Sequence, residues 1–198
     1  MSERDCPMPL NVPNLLTWLR ILLIPAFLAV FYFPDSWLTG PERNLTATAL
    51  FAVAAATDWL DGYLARTLNQ TSAFGAFLDP VADKLMVAAA LILLVWLGRV
   101  DAPVAVVIIG REITISALRE WMAKIGKSKS VAVSFLGKIK TVSQMTAILL
   151  LLYHGVLFGV IDTQEWGTVL IYVATALTLW SMAYYLKMAM PFVLGKQE

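Results

Sequence analysis

Long apolar runs separated by short polar stretches set the pattern of this chain. A membrane-spanning helix needs about 20 mostly apolar residues, at 1.5 Å rise each. Six runs approach that length, at about 12–33, 45–65, 80–97, 103–123, 141–161 and 166–186. The first holds Arg20, and at Pro25 an expected kink. The second begins apolar and ends with Asp58, Asp61 and Gly62. The fourth is weakly hydrophobic, because Arg111, Glu112, Arg119 and Glu120 interrupt it. The connections are short. Residues 34–41 read as a turn-rich loop and 126–137 as a small, basic, serine-containing one. No repeat or linker divides the chain, so residues 1–198 read as a single membrane domain.

Composition agrees with this pattern. Of the residues, 59% are hydrophobic and only 15% charged, where soluble domains carry about 25% charged residues. The fold class expected is an all-α integral membrane protein with six transmembrane helices. Net charge is +1, so the placement of charge says more than its sum. Lysines and arginines near span ends favour the cytoplasmic side. With the N-terminus inside, the outward connections at 34–44, 98–102 and 161–165 hold only Arg43 and Arg99 among the basic residues. Lys124, Lys127, Lys129, Lys138 and Lys140 then crowd one inner connection. Both termini fall in the cytoplasm. The polar start of the chain, with Glu3, Arg4 and Asp5, lacks the basic-then-apolar order of a cleaved signal. Cys6, the single cysteine, can form neither an internal disulfide nor a thiolate cage.

Chemistry concentrates in residues 57–84, TDWLDGYLARTLNQTSAFGAFLDPVADK, which hold Asp58, Asp61, Asp79 and Asp83. A carboxylate at the centre of a spanning helix costs roughly 2.5–3.5 kcal/mol on insertion scales. Four in one region need a reason. Asp58 and Asp61 are three apart and Asp79 and Asp83 four apart, so each pair shares a helix face. Oxygen-only ligands suit Mg²⁺, Mn²⁺ or Ca²⁺, whereas zinc prefers nitrogen and sulfur. Four carboxylates exceed what one Mg²⁺ takes from protein. Two metals, or one metal and a free base, account for the surplus. Two blander roles stand beside this one. Asp79 before Pro80 has the form of a helix N-cap with proline at the first position. Asp58 and Asp61 can also pair with Arg111 or Arg119 between helices.

The full spacing is D-x2-D-G-x2-A-R-x8-G-x3-D-x3-D, fitted without a gap by Asp58, Asp61, Gly62, Ala65, Arg66, Gly75, Asp79 and Asp83. It resembles the signature of the CDP-alcohol phosphatidyltransferase family. The resemblance implies a six-helix membrane enzyme, usually a homodimer and open to the cytoplasm. Such enzymes transfer a phosphatidyl group from a CDP-linked lipid to an alcohol and release CMP. It further implies two Mg²⁺ or Mn²⁺ ions held by Asp58, Asp61 and Asp79 with Asp83 nearby. Asp83 would be the general base on the acceptor hydroxyl, and Gly62, Arg66 and Gly75 would line the CDP site. A carboxylate beside two cations is normally a weak base, which is the difficulty with that role for Asp83. Asn14, Thr17 and Arg20, three apart in series, form one polar stripe on the first helix. They are expected to face the CDP-lipid headgroup, with an interhelical role as the alternative.

The acceptor is read from elsewhere. Arg111 and Arg119 are eight apart, about 80° around a helix, and Lys138 and Lys140 begin the fifth run. These groups can form a basic pocket, which suits an acceptor that is itself a phosphate ester. A structural ion pair between Arg111 and Glu112 would use part of that charge. The segments NVPNLLTWLRILLIP, GREITISALREW and SVAVSFLGKIKT resemble family members whose acceptor is sn-glycerol 3-phosphate. That resemblance implies Arg111, Arg119 and Lys138 as ligands of the acceptor phosphate. It also implies CDP-diacylglycerol as donor and the bacterial inner membrane as location. No nucleic-acid partner is expected. Rival readings are the same chemistry on phosphatidylglycerol or inositol phosphate, and a divalent-cation transporter. His154 is expected to be structural or interfacial. Trp37, Trp166, Tyr184 and Tyr185 read as residues of the aromatic belt.

Overall fold

The computed structural model describes residues 12–67, 73–125 and 135–193. The elements, in chain order, are α1 Val12–Ala29, a 3-10 turn Val30–Tyr32, α2 Gly40–Thr67, α3 Ala73–Trp96, α4 Ala102–Lys124, α5 Phe135–Tyr153, strands β1 Val156–Leu157 and β2 Ile161–Asp162, and α6 Thr163–Val193. Two compact units divide at residues 90 and 91, inside α3.

The first unit packs α1 against α2. Phe27 and Phe51 meet with ring centroids 6.3 Å apart. Ala47 and Ala54, on the same face of α2 as Phe51, are buried, and such small residues let helix backbones approach closely. Helix α1 presents Leu15, Leu19 and Leu22 outward and buries Thr17 and Arg20. In water this order of faces would be unfavourable. In hydrocarbon it is the stable one, because polar groups must find partners inside the protein. The stretch 15–32, and the 30 residues Thr163–Phe192 of α6, are long and apolar enough to cross a membrane. Charges interrupt the apolar runs of α2, α3 and α4.

Helix α2 starts earlier than the apolar pattern predicts. Glu42 accepts bonds from both the backbone N–H (2.8 Å) and the hydroxyl (2.7 Å) of Thr39, a capping-box contact that starts a helix at Gly40. These bonds hold the Glu42 pKa below its ordinary value. The depressed value means the cap is complete at neutral pH and is lost as pH falls through the folded pKa. Helix α3 also starts early, at Ala73. Pro80 therefore lies inside the helix and Asp79 is an interior residue, so the N-cap role does not apply to it. Proline inside a spanning helix is tolerated where neighbouring groups satisfy the freed carbonyl.

In the second unit α6 packs on both α4 and α5. Helix α5 stops at Tyr153, eight residues before the apolar run ends. Positive φ at His154, Phe158 and Gly159 turns the chain back. The two short strands then pair antiparallel, Val156 with Asp162 and Leu157 with Ile161. Buried Thr163 pins this hairpin through its hydroxyl, which accepts from the Gly155 N–H (2.9 Å) and donates to the Gly155 carbonyl (2.8 Å). Asp162 caps α6, accepting from the backbone N–H of Gln164 at 2.8 Å. Arg99, in the α3–α4 connection, donates to the Leu151 and Leu152 carbonyls at 3.0 Å each. Burial lowers its pKa to about 10, so it stays cationic where it meets the negative end of the α5 dipole.

Gly167 of α6 lies against Leu151 of α5. A Cβ there would lie 2.7 Å from Leu151 Cγ and 3.2 Å from the Leu151 backbone nitrogen. Gly167→Ala is therefore expected to destabilise the protein by about 1–3 kcal/mol, the usual cost of overpacking. A thermal unfolding series in detergent, with wild type alongside, checks this.

Candidate active site

In the first unit two residues of α1 reach the aspartates. Arg20 Nη1 donates to Asp58 Oδ1 at 2.8 Å. The arginine side chain is 1% exposed and the aspartate 45%. The Thr17 hydroxyl donates to Asp79 Oδ1. Thr17 and Arg20 are three apart on one face of α1, so one face serves an aspartate on α2 and another on α3. Thr17 and Arg20 of the polar stripe thus take carboxylates as partners. Asp58 finds a cation within its own unit, in Arg20.

Asp83 follows Asp79 by one turn on α3, on the same face and partly buried. Gly75 is buried one turn before Asp79. Asp61, Gly62 and Arg66 lie on the last turns of α2, where side-chain placement is outside the described residues, as it is for Asn14 on α1. Among the described residues no three acidic, imidazole or thiol groups converge on one point. The donor set nevertheless fits a hard cation. Asp58 and Asp79 each engage a helix partner through one oxygen, Oδ1, and the motif supplies only oxygen ligands.

The second unit carries the basic cluster. Arg111 is 6% exposed. Its Nη1 donates to Glu112 at 3.2 Å and its Nη2 to Ser181 Oγ on α6 at 3.0 Å. Lys140, buried at the start of α5, donates to the same Glu112 oxygen. The ion pair of Arg111 with Glu112 is therefore present, and Lys140 joins it. Arg119 lies two turns beyond Arg111 and its Nη2 stands 3.4 Å from the Tyr185 hydroxyl. Tyr185 is 1% exposed, so the aromatic-belt reading does not hold for it. The adjacent Tyr184 is exposed, as a belt residue should be. Lys138 lies in the first turn of α5, its side chain outside the described residues.

Sequence reasoning missed Ser181 and Tyr185 as partners of the arginines. One signal was available. Arg111, Ile115 and Arg119 recur every four residues on α4, and Ser181, Tyr185 and Ala189 do so on α6. Two stripes of equal period on packed helices can align residue by residue.

The chain is similar to known proteins along most of its length. CDP-diacylglycerol–glycerol-3-phosphate 3-phosphatidyltransferases of Escherichia coli K12, Escherichia coli O157:H7 and Shigella sonnei are each 49% identical to this chain over 188 residues. The match covers 92% of this chain and 96% of each relative. The CDP-alcohol phosphatidyltransferase family model matches residues 10–180. With the aspartate motif unbroken and this similarity along nearly its whole length, the chain belongs to the CDP-alcohol phosphatidyltransferase family.

Proposed function

We propose that the protein transfers the phosphatidyl group of CDP-diacylglycerol to sn-glycerol 3-phosphate, giving phosphatidylglycerophosphate and CMP. The geometry that carries the acceptor assignment is the buried guanidinium of Arg111, grouped with Arg119 and Lys140. Guanidinium groups suit a phosphate ester, and a neutral alcohol has no need of them. The relatives of that name, similar over almost the full chain, support the same donor and acceptor.

Asp58, Asp61, Asp79 and Asp83 would hold the divalent cations, Mg²⁺ or Mn²⁺ and two in number. When bound, such ions neutralise charge on a pyrophosphate and polarise the phosphorus under attack. The chain's own groups do the remainder. Thr17 and Arg20 fix Asp79 and Asp58 in place. Asn14, Gly62, Arg66 and Gly75 line the CDP-lipid site. Arg111, Arg119 and Lys138 hold the acceptor phosphate. Asp83 takes the proton of the acceptor hydroxyl, and near-normal turnover of Asp83→Asn would rule that role out. Thr17→Val removes the hydroxyl on Asp79 and should lower metal affinity or turnover 10- to 100-fold, as loss of a metal ligand's own partner does. Mn²⁺ titration and CMP release measure the two separately.

The single domain spans residues 1–198 and six helices cross the bacterial inner membrane. Both termini and the active site face the cytoplasm, and the protein is a homodimer. The lone cysteine reports on this topology without substitution. Cys6 should resist a membrane-impermeant maleimide in intact spheroplasts and react once they are lysed; labelling before lysis would refute the orientation. The reaction itself is tested by giving purified protein CDP-diacylglycerol with glycerol 3-phosphate, phosphatidylglycerol or inositol phosphate. Product formed only with inositol phosphate would reject the acceptor, and metal flux into liposomes without CMP release would favour a transporter.

A further inference from the structure

Tyr185 is buried on α6 and touches two of the arginines. The guanidinium carbons of Arg111 and Arg119 lie 5.9 and 5.4 Å from its ring centroid, both within cation–π range. Its hydroxyl is within 3.4 Å of Arg119 Nη2. Behind the ring lies an apolar cluster of Ile115, Met122 and Ala189, with Leu118, Met182 and Phe192 packed against it. Ile115 stands between the two arginines on α4. The ring is therefore fixed by packing, while its polar neighbours are two long cationic side chains. Ser181, one turn earlier on α6, accepts from Arg111 Nη2.

We propose that Tyr185 is a positioning residue for acceptor binding: its ring and hydroxyl hold Arg111 and Arg119 at one spacing, so that both can meet a single phosphate monoester. Arginine side chains are long and carry large rotamer entropy. A rigid aromatic face that both guanidiniums lean on removes much of that freedom before substrate arrives, and affinity gains accordingly. Helix α6, otherwise an apolar span, thereby contributes to acceptor specificity. This inference rests on the assignment of Arg111 and Arg119 to the acceptor phosphate.

The test uses purified full-length enzyme with Tyr185→Leu, Tyr185→Phe and Arg119→Ala, titrating glycerol 3-phosphate and CDP-diacylglycerol separately. Tyr185→Leu should raise KM for glycerol 3-phosphate at least tenfold, with kcat and the donor KM within about twofold of wild type. Tyr185→Phe keeps the ring and loses the hydroxyl, and should raise the acceptor KM about threefold. The proposal is overturned if Tyr185→Leu only lowers the unfolding temperature and leaves the acceptor KM unchanged while Arg119→Ala raises it. An acceptor KM unmoved by Arg119→Ala as well would instead remove the acceptor-site assignment beneath it. If Tyr185→Leu does not fold, Tyr185→Phe decides: a wild-type acceptor KM overturns the proposal, and the threefold rise supports it.

Discussion

Asp79→Asn should reduce metal-dependent CMP release about a thousandfold while leaving the protein folded. The substitution is nearly isosteric. Asparagine keeps a carbonyl oxygen able to accept from the Thr17 hydroxyl, which in wild type donates to Asp79 Oδ1. What disappears is the negative charge. A cation acting on a phosphoryl centre supplies several kcal/mol of charge stabilisation, and each 1.36 kcal/mol is tenfold in rate. Loss of about 4 kcal/mol gives the thousandfold figure. The measurement is single-turnover CMP release across a Mn²⁺ series, with the unfolding temperature as control. Activity within tenfold of wild type at saturating metal would mean that Asp79 is no ligand and that its bond to Thr17 is structural only.

The second large effect concerns the acceptor. Arg111→Ala should raise KM for glycerol 3-phosphate 10- to 100-fold, the range that corresponds to about 1.5–3 kcal/mol for a hydrogen bond to a charged group. KM for the CDP-lipid should stay close to wild type. Stability will fall as well, because Ser181 loses its donor and Glu112 loses a cation. Lys140 remains on Glu112, so the carboxylate is not left without a cation. Arg111→Lys should not rescue the acceptor KM, since an ammonium cannot reproduce the planar fork that reaches two partners at once. Steady-state titration of each substrate separates the two losses.

The aspartates and their spacing could be read directly, because motif residues three and four apart share a helix face whatever the tertiary fold. The cost of carboxylates in a membrane then pointed to their chemistry. Partners across helices could not be read in the same way. The stripe of Thr17 and Arg20 stood out as polar on an apolar helix, yet nothing local says which helix it meets. Tyr184 and Tyr185 look alike in one dimension, but the 100° between them puts one outside and the other between two arginines. Helix ends were misplaced where turn chemistry competed with hydrophobicity. The apolar run continues past Tyr153, while Gly155 and Gly159 favour a hairpin. The bonds from Thr39 to Glu42 start α2 five residues before its apolar stretch, and Asp79-Pro80 has the form of a cap in the middle of a helix.

The inverted faces of α1 bear on how the protein is made. On the six-span topology proposed above, synthesis from the N-terminus brings Arg20 into the bilayer before Asp58 exists. Until α2 arrives, its charge has only snorkelling or a local water defect to soften a cost of roughly 2.5–3.5 kcal/mol on insertion scales. Thr17 waits longer, since Asp79 is on α3. Each arriving helix therefore relieves a polar group already in place, and the order of insertion is also the order in which the aspartates are gathered. A chain halted after α1 would leave this arginine unpaired in lipid, a recognisable mark for membrane quality control, whereas one that reaches α3 has concealed both groups.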